Sequence, residues 1–191
     1  MRQQIQLREF ARFTIDVPAP LRSMPERQRR TFGLSPEAHW CSYSLMGGLI
    51  GICFVLDWRL AMATQEEQAI QQAVQYQPRI WRHRASLLVT VRDYPPQRVE
   101  VSGAMGVCLR REASSDNGLT QFIHNRIDIV TYKTHSIHLY LELIALRGLF
   151  ARFFVRNRWI QNIQGELERI LFSVVSEWKC CRLRALVCAC V

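Results

Sequence analysis

The sequence has few lysines, no glycosylation sequon and few signs of paired cysteines, and each absence narrows its possible function. Lys133 and Lys179 are the only lysines among 25 basic residues, so arginine carries almost all of the positive charge. The motif Asn-x-Ser/Thr does not occur, and the seven cysteines are odd in number and concentrated towards the C-terminus. This pattern does not fit a secreted disulfide framework and indicates a compartment where thiols stay unpaired.

The motifs of common enzyme classes are also missing. Neither Gly-x-Ser-x-Gly nor His-Glu-x-x-His occurs. Gly47-Gly48-x-x-Gly51 lacks the preceding strand and the Lys-Ser/Thr ending of a phosphate-binding loop. His135 and His138 lie three residues apart, so on a strand their side chains would point to opposite faces and could not share one metal ion. We therefore expect a non-catalytic protein with no metal and no cofactor.

Acidic residues on the predicted strands offer the remaining route to an active site. We expect them at outward, solvated positions of a half-exposed sheet, and not in a converging cluster. These residues are Glu100, Asp128 and Glu142.

What is present is a globular composition with a strong positive charge. Apolar residues make up 49% and charged residues 21% of the 191 residues, which is ordinary for one folded domain with appendages. The net charge of +9 favours anionic partners such as acidic protein surfaces, lipid headgroups or nucleic acid. Nucleic-acid binding has no motif to support it, because no basic-aromatic run or known binding module occurs.

One apolar run stands out between Trp40 and Leu56, where 17 residues pass without a charge. Extended past Asp57 and Arg59 to Ala63, it reaches the length of about 20 residues that a spanning helix needs. Aromatic residues lie at both ends, as they do at membrane interfaces. The run predicts a transmembrane helix over residues 40–63. The alternative is a buried segment of a soluble core.

Two further features fit a membrane helix. Gly47 and Gly51 are four residues apart, a spacing that lets a second helix approach closely in lipid, so they are candidate helix–helix contacts. More arginines precede the run than follow it, which predicts that the N-terminus lies on the cytosolic or matrix side of the membrane. The expected location is a membrane, with the mitochondrial inner membrane as one option, and the alternative is the cytoplasm.

Strand and helix patterns surround this run. Apolar residues alternate from Ile5 to Val17 and predict a strand within an otherwise polar, basic tail. Thr64-Gln-Glu-Glu67 has the form of a capping box and predicts a helix that Pro78 closes. Short alternating segments over residues 86–143, separated by turn residues, predict an antiparallel meander.

From Leu146 onwards the apolar period becomes helical and predicts an amphipathic helix pair that is broken near Gly165. Four arginines flank the apolar face and are candidate contacts for an anionic partner; the alternative is a helix packed on the sheet with solvated arginines. These are Arg147, Arg152, Arg156 and Arg158.

The C-terminal tail joins cysteines to basic residues, which suits lipid attachment. The candidate sites are Cys180, Cys181 and Cys188. The alternative is an unmodified tail.

Together these patterns predict an α+β chain with a single transmembrane helix followed by a small antiparallel meander packed on C-terminal amphipathic helices. The expected organisation is a basic tail (1–39), the membrane helix (40–63), an α+β domain (64–179) and a Cys-rich basic tail (180–191). Over roughly residues 40–143 this layout, with Val101-Ser-Gly103 before a strand and an Asp-Asn-Gly loop, is similar to the cytochrome oxidase assembly factors and related inner-membrane translocase subunits. It implies a membrane-anchored assembly or protein-interaction factor. The alternative is a soluble, Arg-rich regulatory protein, viral or host-interacting, that binds nucleic acid or a protein partner.

Overall fold

Antiparallel β-strands dominate the protein. The computed structural model describes residues 1–7, 11–17, 19–85, 90–101, 104–116, 121–133, 136–147, 165, 169–170 and 175–178. The elements in chain order are β1 (Arg2–Leu7), β2 (Ala11–Asp16), β3 (Arg22–Ser23), α1 (Glu26–Phe32), β4 (His39–Leu45), a 3-10 turn (Met46–Gly48), β5 (Ile50–Leu60), α2 (Glu66–Gln75), α3 (Arg79–Ala85), β6 (Thr90–Asp93), β7 (Gln97–Val101), β8 (Ala104–Asp116), β9 (Gln121–Thr131), β10 (Ile137–Arg147) and β11 (Val175–Trp178).

The strands in the described part of the chain form two antiparallel sheets. The larger sheet has eight strands in the order β3-β4-β5-β10-β9-β8-β6, with β7 also paired to β8, and the smaller has the order β1-β2-β11. Strands β6 and β7 lie end to end along β8, because β6 pairs with residues 111–114 and β7 with residues 104–108. The predicted antiparallel meander is confirmed by β6 to β10, whose long central members are β8, β9 and β10.

The main core lies between the two sheets, on what we call the inner face of the large sheet. Alternation along each strand places every second side chain on this face. Its buried members include Phe54, Ile127, Leu139 and Leu141 from the large sheet and Ile5, Ile15 and Val17 from the N-terminal segment. The opposite face, called the helix face, packs against α1, α2 and α3 through two smaller apolar clusters.

The predicted transmembrane helix over residues 40–63 is wrong. The segment forms the β4–β5 hairpin inside the large sheet, with Leu45 paired to Ile50 and His39 paired to Leu56. None of the helices in the described part of the chain combines the length and the apolar character that a bilayer crossing requires. The predicted α+β fold with a membrane helix is replaced by a mostly β architecture.

The hairpin explains why the sequence resembled a membrane span. Strand β5 is covered on both faces: Phe54 packs into the inner core, and Val55 packs beneath α1 and α3. A strand buried on both faces has no polar alternation, so its sequence is a continuous apolar run. The chain reverses at Gly47 and Gly48, whose φ values of 65° and 92° lie in the left-handed region that glycine adopts without steric cost.

Other predicted elements are partly confirmed. The predicted strand over residues 5–17 is two paired strands in its described part, β1 and β2. Helix α2 begins at Glu66, and the backbone N–H and hydroxyl of Thr64 both donate to Oε1 of Gln68 at 2.9 Å, so Gln68 takes the place that the capping box assigned to Glu67. The predicted C-terminal helix pair lies mostly outside the described residues, and where it is described it includes strand β11, which pairs with β2.

Candidate functional site

A layer of buried charged residues lies on the helix face of the large sheet. The register places Asp57, Tyr140 and Asp128 side by side across β5, β10 and β9. The charged members of this layer are each at most 2% exposed. They are Asp57, His124, Arg126, Asp128, His138 and Glu142. The layer opens to solvent beside Arg59, at the end of β5.

The carboxylate of Asp57 fastens three segments to one another. It accepts hydrogen bonds from the backbone N–H and the hydroxyl of Ser35 (3.1 and 2.5 Å), and from the hydroxyl of Tyr76 (3.0 Å). The backbone N–H of Trp58 also donates to it, at 2.9 Å. Desolvation and the neighbouring carboxylate raise the pKa of Tyr76, so its phenol remains a donor at neutral pH. Asp57 thus joins the segment after α1 and the end of α2 to the sheet.

Asp128 and Arg126 form an internal ion pair that caps helix α2. The Nε of Arg126 donates to Asp128 at 2.5 Å, and its Nη2 donates to the carbonyl oxygens of Ala73 (3.3 Å) and Tyr76. A cation at the C-terminal end of a helix satisfies carbonyls that have no partner within the helix. Burial opposes the charge of Arg126, but the contact with Asp128 outweighs it and raises the pKa of Arg126.

His138 connects this ion pair to Arg59 at the surface. Its Nε2–H donates to Asp128 at 2.7 Å, while its Nδ1 accepts from Nε and Nη2 of Arg59 at 3.3 and 3.1 Å. The guanidinium of Arg59 lies over the ring of Tyr76, 3.5 Å from the centroid. Both ring nitrogens of His138 are therefore engaged, which leaves neither free to act as a general base.

A second buried pair lies farther along the layer. Nε2 of His124 bonds to Glu142, and the ring of Trp81 from α3 lies 4.4 Å from the imidazole. Four buried atoms of the layer have no hydrogen-bond partner among the described residues. They are Nδ1 of His124, Nη1 of Arg126, Oη of Tyr140 and Oε2 of Glu142.

A depression of about 360 Å³ lies where the layer meets the surface. Arg59 and Tyr76 contribute to its wall, together with the chain between β5 and α2 and the last turns of α2. Its lining is Arg59, Leu60, Ala61, Met62, Gln72, Gln75 and Tyr76. No acidic side chain is among these residues.

A separate positively charged surface is formed by helices α1 and α3, which contact each other where Gly33 meets Arg79. Arg27, Arg79 and Arg82 are exposed there, and none forms an ion pair within the described chain. Arg30 is also exposed and pairs with Glu26 in the same helix. We call Arg27, Arg30, Arg79 and Arg82 the arginine surface.

The structure places the residues singled out from the sequence in unexpected positions. Gly47 lies in the hairpin turn and Gly51 within β5, so the membrane helix on which their predicted contact depended is absent. Arg147 is buried at the end of β10 and donates to Gln121. The other predicted arginines (Arg152, Arg156 and Arg158) and the cysteines (Cys180, Cys181 and Cys188) lie outside the described residues.

Of the three acidic residues expected at solvated positions, one is exposed and two are buried. Glu100 is exposed on β7, as expected, but Asp128 and Glu142 are buried in the polar layer. No group of three potential metal ligands occurs in the described part of the chain. The signal that was missed is that His124, Arg126 and Asp128 occupy every second position of β9, with three isoleucines and Asn125 at the positions between and beside them. This spacing places charged side chains on one face of a strand whose other face is core.

Comparison with known proteins gives several structural likenesses, and two of them are with bacterial proteins. LpqN of Mycobacterium tuberculosis, which is involved in cell envelope biogenesis, aligns over 92% of this chain and 90% of its own, with 12% identity and a TM-score of 0.47. PA94 of Pseudomonas aeruginosa, a protein of unknown function, aligns over 85% and 94% with 12% identity and a TM-score of 0.33. Both TM-scores are too low to establish a shared fold. No protein-family model and no curated protein matches the sequence.

Proposed function

We propose that this chain is a non-catalytic regulatory protein that docks onto an acidic segment of a partner protein through the arginine surface of α1 and α3. The observation that carries this proposal is the exposure of Arg27, Arg79 and Arg82 on two contacting helices, where none of them forms an ion pair with a described residue. Exposed charges of one sign raise the local concentration of an oppositely charged partner and speed its association. Arginine also binds carboxylates through two parallel hydrogen bonds.

The rigid attachment of these helices supports recognition. Ile80 of α3 is 4% exposed and shares an apolar cluster with Val55 and Tyr140 of the sheet. The bonds from Ser35 to Asp57 hold the segment that follows α1. Because α3 packs on the sheet and α1 is held by α3 and by the segment that follows it, the arginine surface meets a partner without first having to be ordered.

The experiment measures binding of a fluorescent ten-residue glutamate peptide by anisotropy. The test variant replaces Arg27, Arg79 and Arg82 with serine. We expect its affinity to fall by about tenfold or more at 0.1 M salt, where charges more than about 10 Å apart are screened and local contacts dominate.

A matched control replaces three other exposed arginines, Arg2, Arg92 and Arg98, with serine, so that both variants lose the same charge. We expect the control to bind almost as tightly as the unmodified protein. Equal losses in the two variants would mean that net charge alone drives binding, and the proposal would fail.

A duplex DNA of mixed sequence serves as the competing ligand. The proposed protein docking is wrong, and nucleic acid is the partner, if three results occur together. The DNA binds more tightly than the glutamate peptide, its affinity falls steeply as salt is raised, and replacement of the same three arginines weakens its binding.

A further inference from the structure

The depression beside Arg59 has the features of a small binding site that is separate from the arginine surface. Its volume of about 360 Å³ lies at the lower end of the range for pockets that enclose small organic molecules. One wall is the chain that links β5 to α2, and the other is the C-terminal half of α2. The site therefore lies at the mouth of the buried polar layer.

The cation in this site is held in a fixed orientation. Tyr76 supports the plane of the Arg59 guanidinium from below, at 3.5 Å, and Nδ1 of His138 accepts from Nε and Nη2. Nη1 of Arg59 donates to no described group. A guanidinium whose other nitrogens and plane are already fixed loses little freedom when an anion binds.

The charge of Arg59 is not neutralised by a direct partner. No described carboxylate forms an ion pair with it, and desolvation lowers the pKa of Arg59 even though Asp57 and Asp128 lie near enough to oppose that effect. Asp128 is already bonded to Arg126 and His138, and Asp57 to Ser35 and Tyr76. An external anion on Nη1 would give Arg59 the direct ion pair that it lacks among the described residues.

The remaining lining matches an apolar molecule that carries one acid group. Leu60 and Met62 are 55% and 89% exposed at the rim, where they offer apolar surface to a ligand body. The side-chain amides of Gln72 and Gln75 lie on the same depression and make no hydrogen bond to any described group. Amide N–H groups donate to a carboxylate, and the lining contains no acidic side chain that would repel it.

We infer that the depression binds a small monocarboxylate with an apolar body, with its carboxylate on Nη1 of Arg59 and the Gln72 and Gln75 amides and its apolar part against Leu60 and Met62. The lining of this site contains no residue of the arginine surface, so the inference can be tested independently of the proposed partner docking.

Titration calorimetry with octanoate and with its neutral counterpart octanamide tests the site. Octanoate is expected to bind and octanamide to bind at least about tenfold more weakly, because only the acid forms charge-assisted hydrogen bonds. Equal binding of the two would show that apolar contact alone is responsible and would overturn the inference.

Variants locate the site. Arg59→Gln should abolish octanoate binding, and Arg59→Lys, which keeps the charge but loses the planar fork, should weaken it. Because Arg59 also contacts His138, its variants are accompanied by Gln75→Ala and Met62→Ala, which alter only exposed side chains of the lining. The matched control is Arg82→Gln, on the arginine surface. Loss of octanoate binding in Arg82→Gln would place the ligand elsewhere. Retention of octanoate binding in both single variants, Arg59→Gln and Met62→Ala, would do the same.

Discussion

Replacing Arg126 with methionine should be among the most destabilising single changes in this protein. The side chain is 0% exposed and donates to Asp128 and to two carbonyl oxygens at the end of α2. Methionine fills a similar volume, so the cavity contribution is small. The substitution leaves the buried Asp128 carboxylate with His138 as its remaining described partner, and it leaves the carbonyls of Ala73 and Tyr76 without their cation.

Removal of one partner from a buried ion pair typically costs about 3–5 kcal/mol. The free energy of unfolding of a domain is about 5–15 kcal/mol, so a loss of this size is a large part of the total. Urea denaturation followed by far-UV circular dichroism measures it as a shift in the transition midpoint at unchanged slope. The double variant Arg126→Met with Asp128→Asn removes both charges and keeps an acceptor for His138, so it should be more stable than Arg126→Met alone.

The surface variant Arg98→Met provides the control, because Arg98 pairs with Glu66 in solvent and its loss should barely move the midpoint. If Arg126→Met shifts the midpoint no more than Arg98→Met does, the polar layer does not hold α2 to the sheet and the structural argument fails.

Three other changes have defined outcomes. Burial raises the pKa of the Cys108 thiol from its ordinary value of 9.0 to about 11, so the thiol should resist iodoacetamide at pH 8. Because the unfolded thiol ionises first, the folded state should lose about 1.4 kcal/mol of stability per pH unit between about pH 9 and 11. Peptide mapping and urea midpoints compared with Cys108→Ala check both, and rapid labelling of the folded state would contradict this. Gly106→Ala should destabilise the protein because a Cβ there would lie 3.0 Å from the carbonyl oxygen of Val130, whereas Gly51→Ala, where a Cβ meets nothing within 4 Å, is the matched change that should have a much smaller effect on the thermal midpoint. Leu141→Ala, at a fully buried position, should cost about 2–5 kcal/mol in urea unfolding, and a cost under about 1 kcal/mol would show that this part of the core is not tightly packed.

The sequence was sufficient to predict the elements whose patterns are local. Period-two alternation located the meander, and the polar start at Thr64 located α2. It was not sufficient for β5, because a strand covered on both faces and a membrane helix share a continuous apolar run, and the length of the run up to Leu56 suits either. Two adjacent glycines at the centre of that run were the signal for a turn.

The polar layer was harder to predict for a different reason. Alternating charged residues on β9 are typical of a solvated face, and only the position of α2 and α3 over that face makes it interior. In the sequence, Asp57 and Arg59 are likewise compatible with a membrane interface and with a buried polar layer. The partners that decide between these environments, Tyr76 and His138, lie about 20 and 80 residues away along the chain.

One edge of the large sheet is formed by two short strands, β6 and β7, that lie end to end along β8. This edge affects how readily molecules of the protein associate through their sheets at high concentration. A strand added at this edge would have to pair along β6 and β7, past Tyr94-Pro95-Pro96, where the two prolines offer no N–H to a neighbour. It would also strip water from the exposed charges of Arg92, Asp93, Arg98 and Glu100. This border of the sheet therefore discourages the strand-by-strand growth that leads to fibrils, and it keeps the sheet at eight strands on that side.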